Sequence, residues 1–164
     1  MGTGRGTNGY QYPSAVVQTD VEVVRGLWTE CAEWFDAPAD PERLARIADR
    51  YMAPDVLYEE DPVWPDAGTY RGRDAVTGRF LEYADMLQIR SISSVDVVDA
   101  GELVLAEVRV EMLDTSSAET IDYVWNYTVR VEDGLVKHFR AWYKPEEAHR
   151  AAGLTDHSAA GDAS

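Results

Sequence analysis

The sequence contains very little cysteine and histidine. Of its 164 residues, one is cysteine, Cys31, and three are histidine. A single cysteine excludes an internal disulfide and any zinc site built on several thiolates. Because His149 and His157 both lie near the C-terminus, the histidines do not indicate a multi-histidine metal centre. We therefore expect neither a metal nor a cofactor.

Positive charge is also scarce. The chain has 15 Lys and Arg against 30 Asp and Glu, a net charge of −15. A phosphate backbone or an anionic membrane surface repels such a chain, which argues against nucleic-acid and membrane partners. No apolar run approaches transmembrane length, and the N-terminal segment MGTGRGTNGYQYPS lacks the apolar stretch of a signal peptide. These features predict a cytoplasmic location.

Glycine and polar residues dominate both ends of the chain. Residues 1–18 and 154–164 are predicted to be disordered tails, which leaves residues 19–153 as one domain. That length supports a single core, and 45% of the chain is hydrophobic, as in an ordinary globular protein. No repeat or linker divides this range.

Helical patterns occupy the first half of the domain. Thr19 or Asp20 caps a first helix, Asp40 and Pro41 begin a second, and a third covers residues 72–87. The segment DVLYEE between the last two reads as a short strand, and WPDAGTYRG reads as a turn. Four alternating segments follow, with turn signals between them, and KPEEAHRAAG adds a final helical turn. This order predicts an α+β fold with helices on one face of a curved antiparallel sheet.

Three segments, in this order and at this spacing, carry a family resemblance. They are YMAPDVLYEEDPVWPDAGTYRGRDAV, AEVRVEML and VEDGLVKHFRAWY. Together they resemble the nuclear transport factor 2-like superfamily, with its SnoaL-like polyketide cyclases and ketosteroid isomerases, over residues 21–151. The resemblance implies a cone-shaped domain whose three N-terminal helices pack on the concave face of the sheet. The superfamily hosts isomerases, cyclases, epoxide hydrolases, dehydratases and transport proteins, so the fold alone decides no function.

Asp61 is the first candidate for catalysis. It follows the strand DVLYEE, and EDPV is similar to the stretch of ketosteroid isomerases whose aspartate is the general base. A carboxylate at an apolar cavity mouth has a raised pKa and becomes a useful acid or base. The resemblance places Asn126 at the oxyanion-hole aspartate and Cys31 near the oxyanion-hole tyrosine, so half of that hole is missing. The alternative is that Asp61 only caps the proline-rich turn.

A second comparison concerns the limonene epoxide hydrolase branch. Arg109 and Glu111 resemble its Arg-x-Asp, and Tyr58 and Glu60 fall on its Tyr and Asn. The second Asp of that branch falls on Ala141, so the water-activating base is missing. The alternative for Arg109 and Glu111 is a solvent-facing ladder of charges across neighbouring strands.

Large apolar side chains provide candidate walls for a substrate pocket. The set consists of Trp28, Trp64, Tyr83, Met86 and Phe139. Each of them also fits a plain core position. Trp64 differs from the rest because it lies in a loop between two prolines, where it could serve as a lid over a cavity.

Strand parity divides the last two strands into two faces. The resemblance places Asn126 and Ala141 on the pocket side. The outer face would then hold Tyr123, Trp125, Tyr127, His138, Arg140 and Trp142. An exposed aromatic patch of that size is unusual on a monomer, so it predicts a homodimer interface, the alternative being a face covered by the chain's own tails.

These observations predict a cofactor-independent enzyme that acts on a hydrophobic carbonyl or polyketide-like small molecule by isomerisation, cyclisation or dehydration. Asp61 would be the general acid or base, with Asn126, Tyr58 and Arg109 assisting. Two alternatives stay open. One is a non-catalytic dimeric module that binds a small molecule or a protein, and the other is an epoxide hydrolase with a rearranged set of acids. A cavity in which Asp61, Asn126 and Arg109 converge would favour the enzyme.

Overall fold

The computed structural model describes residues 18–114 and 116–154. The helices are α1 (Asp20–Phe35), α2 (Pro41–Tyr51), α3 (Arg73–Met86) and α4 (Pro145–Ala151). The strands are β1 (Met52–Glu59), β2 (Thr69–Arg71), β3 (Ile89–Asp99), β4 (Val104–Asp114), β5 (Glu119–Glu132) and β6 (Leu135–Trp142). The two predicted tails lie almost entirely outside the described residues. Within the described ranges, no helix is both long and apolar enough to cross a bilayer.

The strands form one curved, unclosed sheet with the order β2-β1-β6-β5-β4-β3. Most neighbours are antiparallel, but β1 runs parallel to β6. The predicted antiparallel sheet is therefore a mixed one. The reason is that β1 and β6 are joined by a long connection through α3 and four strands, and not by a hairpin. Strand β2, which the sequence presented as a turn, pairs with β1 over only three residues.

The helix starts follow from local capping. Thr19 and Glu22 form a reciprocal capping box at α1. The Asp40 side chain accepts from the first amides of α2, with Pro41 in the first turn. Both starts confirm the sequence prediction. Helices α1, α2 and α3 cover one face of the sheet, which we call the inner face, and the opposite face is the outer face.

Strand β5 is oriented opposite to the prediction. The buried residues Val108 and Val110 of β4 pair with Trp125 and Tyr123. Tyr127 is 3% exposed and stacks on Trp28 of α1, with ring centroids 4.4 Å apart. Because side chains alternate along a strand, Tyr123, Trp125 and Tyr127 all lie on the inner face. The expectation that they face outward was wrong. It placed Asn126 on the pocket side from the family resemblance, and the alternation of side chains then put these three residues on the opposite face.

Strand β6 is oriented as predicted. Phe139 is buried on the inner face against Trp28, so its neighbours His138, Arg140 and Trp142 lie on the outer face. Helix α4 covers part of that face, where His149 Nε2 lies 3.9 Å from a Glu107 carboxylate oxygen. The predicted homodimer stays a prediction, which now depends on three side chains in place of six.

Candidate active site

A cavity of about 390 Å³ opens between the inner face, α3 and the loop of residues 60–68. We call it the inner cavity. Its walls are mainly aromatic, and they include Trp64, Tyr83, Tyr123, Trp125, Tyr127 and Tyr143. Glu60, Asp66 and Arg79 are its charged lining residues. Apolar walls with a few polar groups are typical of small-molecule sites.

A buried ion pair forms the charged part of this cavity. The Glu60 and Arg79 side chains are 2% and 8% exposed. Arg79 Nε donates to Glu60 Oε2 at 2.8 Å, and Arg79 Nη2 donates to Oε1 at 3.0 Å. The Gly68 amide also donates to Oε1 at 3.0 Å, which ties the loop to the pair. This two-point geometry fixes the position of the Glu60 carboxylate.

Arg79 carries further contacts with acids and aromatic rings. It donates to Glu82 at 2.9 Å and to Asp66 at 3.3 Å, and its guanidinium lies 4.9 Å from the Tyr83 ring centroid. The hydrogen bond with Glu60 raises the pKa of Arg79, so the group stays charged. The sequence reasoning missed this residue. A signal was present, because Arg79 follows Val76 by three positions and so falls on the buried face of α3.

Two tyrosine hydroxyls meet beside the ion pair. The Tyr58 and Tyr83 oxygens are 2.7 Å apart. Tyr58 is 1% exposed and stacks on Phe139 at 4.4 Å. Burial, followed by the neighbouring Tyr127 and Glu60, raises the pKa of Tyr58 well above its ordinary value. Tyr58 is therefore a neutral hydroxyl at physiological pH.

Asp61 has a different environment from Glu60. Its Oδ1 accepts from the Val63 amide at 3.1 Å, and its Oδ2 accepts from the Tyr143 amide at 2.9 Å. Asp61 is 7% exposed and is not among the residues that border the inner cavity. Both of its oxygens hold backbone in place, which matches the turn-capping alternative. Asp61 thus ties the loop to the end of β6.

The other predicted wall residues divide into two groups. Tyr83, Trp64 and Met86 border the cavity, and the Trp64 ring packs edge-on against Tyr143 at 6.2 Å. Trp28 and Phe139 are core residues at 1% exposure and do not border it. Cys31, which the resemblance placed near the oxyanion-hole tyrosine, is also a core residue away from the cavity, at 0% exposure. Burial raises the pKa of the Cys31 thiol to about 12, so this thiol stays neutral.

Asn126, Arg109 and Glu111 do not join the polar group of the cavity. Asn126 borders the cavity, but it alternates with Tyr127 along β5, so its side chain points to the outer face. Arg109 is exposed on the outer face, where it is directly opposite Val124. The predicted convergence of Asp61, Asn126 and Arg109 is absent from the described chain. The residues matched to the epoxide hydrolase likewise fall on opposite faces.

The chain has a nuclear transport factor 2-like fold. A family model described as SnoaL-like domain matches residues 40–139. That range is more than half of the chain, so the chain belongs to the SnoaL-like domain family. No curated protein matches the chain.

Solved structures share the fold. An NTF2-like protein from Burkholderia thailandensis has a TM-score of 0.59 at 20% identity, over 82% of this chain and 97% of that chain. TerC, co-crystallised with polyporic acid, has a TM-score of 0.58 at 14% identity, over 81% and 97%. A protein with a ketosteroid isomerase-like fold from Catenulispora acidiphila, in complex with trimethylamine, has a TM-score of 0.55 at 15% identity, over 77% and 92%. At these identities the likeness shows the fold alone.

Proposed function

We propose that the inner cavity is the active site of a cofactor-independent enzyme that moves a proton on a hydrophobic carbonyl or polyketide-like small molecule. The reaction would be an isomerisation, cyclisation or dehydration. One observation carries the proposal: a fixed carboxylate, Glu60, and a hydrogen-bonded hydroxyl pair, Tyr58 and Tyr83, lie together in an aromatic cavity.

Glu60 replaces Asp61 as the general base in this proposal. A carboxylate offers about four acceptor sites on its two oxygens. Arg79 and Gly68 occupy both sites on Oε1, whereas within the described ranges Arg79 Nε is the one donor with hydrogen-bond geometry to Oε2. One site on Oε2 is left for a proton taken from the carbon beside a carbonyl. Arg79 is a positioning residue, since it fixes the carboxylate.

The tyrosine pair would stabilise the oxygen of the substrate. In a pair of hydroxyls, one donates and the other accepts, and the acceptor keeps its own hydrogen free. That hydrogen can bind a carbonyl oxygen, on which negative charge develops as the proton leaves. The raised pKa of Tyr58 supports this role, because it keeps the hydroxyl proton in place.

The solved structures that contain trimethylamine and polyporic acid support small-molecule binding as a use of this fold. A second function has an observation of its own. Glu60 and Arg79 satisfy most of each other's hydrogen-bonding groups, as in a purely structural ion pair. This favours a non-catalytic module that binds a hydrophobic small molecule. A cytoplasmic location and a homodimer remain predictions for either function.

The test uses 5-nitrobenzisoxazole, a flat aromatic molecule whose ring opens when a base removes one proton from carbon and the N–O bond breaks, which releases a coloured phenolate. We expect the wild-type protein to accelerate this reaction over buffer. Glu60→Gln should remove the acceleration because an amide is not a base. Asp61→Asn is the matched control, and it should keep the rate constant of the folded fraction.

The outcomes separate the two functions. Full activity in Glu60→Gln would exclude Glu60 as the base. Activity lost only in Asp61→Asn would restore the original prediction. If the wild-type protein binds the probe, as seen by tryptophan fluorescence, but does not accelerate its opening, the binding module is favoured.

A further inference from the structure

A second cavity of about 390 Å³ lies on the outer side of the 60–68 loop. We call it the outer cavity. It shares Glu60 and Trp64 with the inner cavity, and its other walls include Glu59, Thr69 and Arg140. Arg140 is its only basic lining residue in the described part of the chain. Nothing in the proposed reaction uses this cavity.

The Arg140 guanidinium lies over an indole ring. Its central carbon lies 4.2 Å from the Trp142 ring centroid. The Trp142 indole N–H donates to Thr128 Oγ1 at 2.9 Å, which fixes the ring. A stacked guanidinium has already lost much of its freedom, so it is ready to bind a planar acceptor at little further entropic cost.

Arg140 has no acidic partner in the described ranges. Glu59 is directly opposite it on β1, but the Glu59 carboxylate lies 2.9 Å from His138 Nε2. The Arg140 Nε is buried and has no hydrogen-bond partner there. This is unexpected in a chain with 30 acidic and 15 Lys and Arg residues. Burying this N–H without an acceptor costs stability.

We propose that the outer cavity binds the carboxylate of a small molecule, with Arg140 as the anchor. A guanidinium presents its donors as a planar fork that matches a carboxylate. Because Nε is buried, the carboxylate reaches the terminal nitrogens of the fork. The Thr69 side chain borders the same cavity and supplies a hydroxyl donor. The inference is independent of the proposed function.

The two glutamates that border the outer cavity limit how tightly an anion binds. Glu60 is neutralised by Arg79, and Glu59 is engaged by His138. Their remaining negative potential still opposes an incoming carboxylate. We therefore expect weak but saturable binding, which calls for a method that detects weak ligands at a single site.

The experiment follows the Trp142 indole N–H in the NMR spectrum of the full chain labelled with ¹⁵N. Sodium benzoate is the probe, and benzamide, with the same shape and no charge, is the control at matched ionic strength. Loss of one signal in Trp142→Phe assigns the resonance. We expect a saturable shift with benzoate and none with benzamide. Arg140→Gln should weaken benzoate binding about tenfold or more, as expected for the loss of a charge-assisted pair.

Arg109→Gln, which changes an exposed arginine on the same face outside the cavity, should leave benzoate binding unchanged. The proposal fails if benzoate gives no saturable shift, or if Arg140→Gln binds it as tightly as the wild type. The proposal also fails if Arg140 binds a carboxylate of a second copy of the chain and not that of a small molecule. In that case the wild type would sediment as a dimer, and both benzoate and Arg140→Gln would dissociate it. Activity on 5-nitrobenzisoxazole should be the same in Arg140→Gln and wild type, so failure here is distinct from failure of the proposed function.

Discussion

The inner and outer cavities have the same volume, share Glu60 and Trp64, and each contain one arginine. Arg79 of the inner cavity is met by the carboxylates of Glu60, Asp66 and Glu82. Arg140 of the outer cavity forms no ion pair within the described ranges. In the inner cavity, the arginine fixes a carboxylate of the protein itself. In the outer cavity, the arginine keeps its hydrogen-bond donors available. A single residue type can therefore serve structure or binding, depending on whether an acid reaches it.

The three consecutive acids show the same principle. Glu59 contacts His138 on the outer face, Glu60 pairs with Arg79 on the inner side, and Asp61 binds two backbone amides. Glu59 is the last residue of β1 and Glu60 follows it, so their side chains point to opposite faces of the sheet. Only one of the three therefore presents a carboxylate to the inner cavity, and it is adjacent to the acid that the sequence favoured.

The largest expected effect comes from removing the partner of the inner carboxylate. Arg79→Leu leaves Glu60 buried without a counter-charge and should lower the free energy of unfolding by about 3–5 kcal/mol. Urea denaturation measures this loss. In the double variant Arg79→Leu, Glu60→Gln, part of the stability should return, since the buried charge is gone. A loss below about 1 kcal/mol in the single variant would mean that Glu60 is not buried as described.

Alkaline pH should destabilise the inner side of the protein. Burial raises the pKa of Tyr58 and of Tyr127 well above the ordinary value of 10.0. Above about pH 10 the unfolded chain loses these protons while the folded chain keeps them. The free energy of unfolding should then fall by about 1.4 kcal/mol per pH unit for each tyrosine, and below pH 10 the two groups should have no effect.

Urea denaturation between about pH 9 and pH 11 measures this slope. Tyr58→Phe should remove the contribution of Tyr58 and leave those of Tyr127 and Cys31, whose pKa values are also raised by burial. Arg140→Gln should leave the slope unchanged because no phenol borders the outer cavity in the described chain. An unchanged slope in Tyr58→Phe would show that Tyr58 ionises as easily in the folded state as in the unfolded state.

Asp61→Asn tests the loop of residues 60–68, which borders both cavities. An amide keeps only one acceptor oxygen, so its NH₂ group would face a backbone N–H of Val63 or Tyr143. We expect a loss of about 1–3 kcal/mol in the free energy of unfolding. Thermal denaturation measures it, with Glu59→Gln as a control that should cost less than about 1 kcal/mol. A variant of wild-type stability that has lost activity would return the base role to Asp61.

Local signals explain how much of the fold was predictable from the sequence. The capping residues of α1 and α2 act within one turn of their helices. The hairpin at residues 132–135 requires positive φ angles, which Asp133 and Gly134 adopt at 55° and 79°. Each of these features depends on neighbours in the sequence, and each prediction was confirmed.

The candidate site depends on contacts between distant segments, and it was predictable only in part. The two faces of β5 both carry side chains that fit a core, and pairing with the buried valines of β4 decides which face is inside. Arg79 meets Glu60 across 19 positions of sequence. Likewise, Asp61 receives the Tyr143 amide from 82 positions away. Tyr58, Glu60, Trp64, Tyr83 and Met86 were all named from the sequence as site residues, and all five border the inner cavity. Their roles in catalysis or binding stay predictions.

The smallest expected effect is that of Arg140→Gln, and it sharpens the comparison with Arg79. Losing the stack on Trp142 costs about 0.5–1 kcal/mol, and removing a buried donor without an acceptor returns about as much. The free energy of unfolding should therefore stay within about 0.5 kcal/mol of the wild type, as for an ordinary surface substitution. Urea denaturation of Arg140→Gln beside Arg79→Gln measures the contrast directly. Equal losses in both variants would mean that Arg140 has a structural acid partner of its own, and the outer cavity would then have no cation available for a ligand.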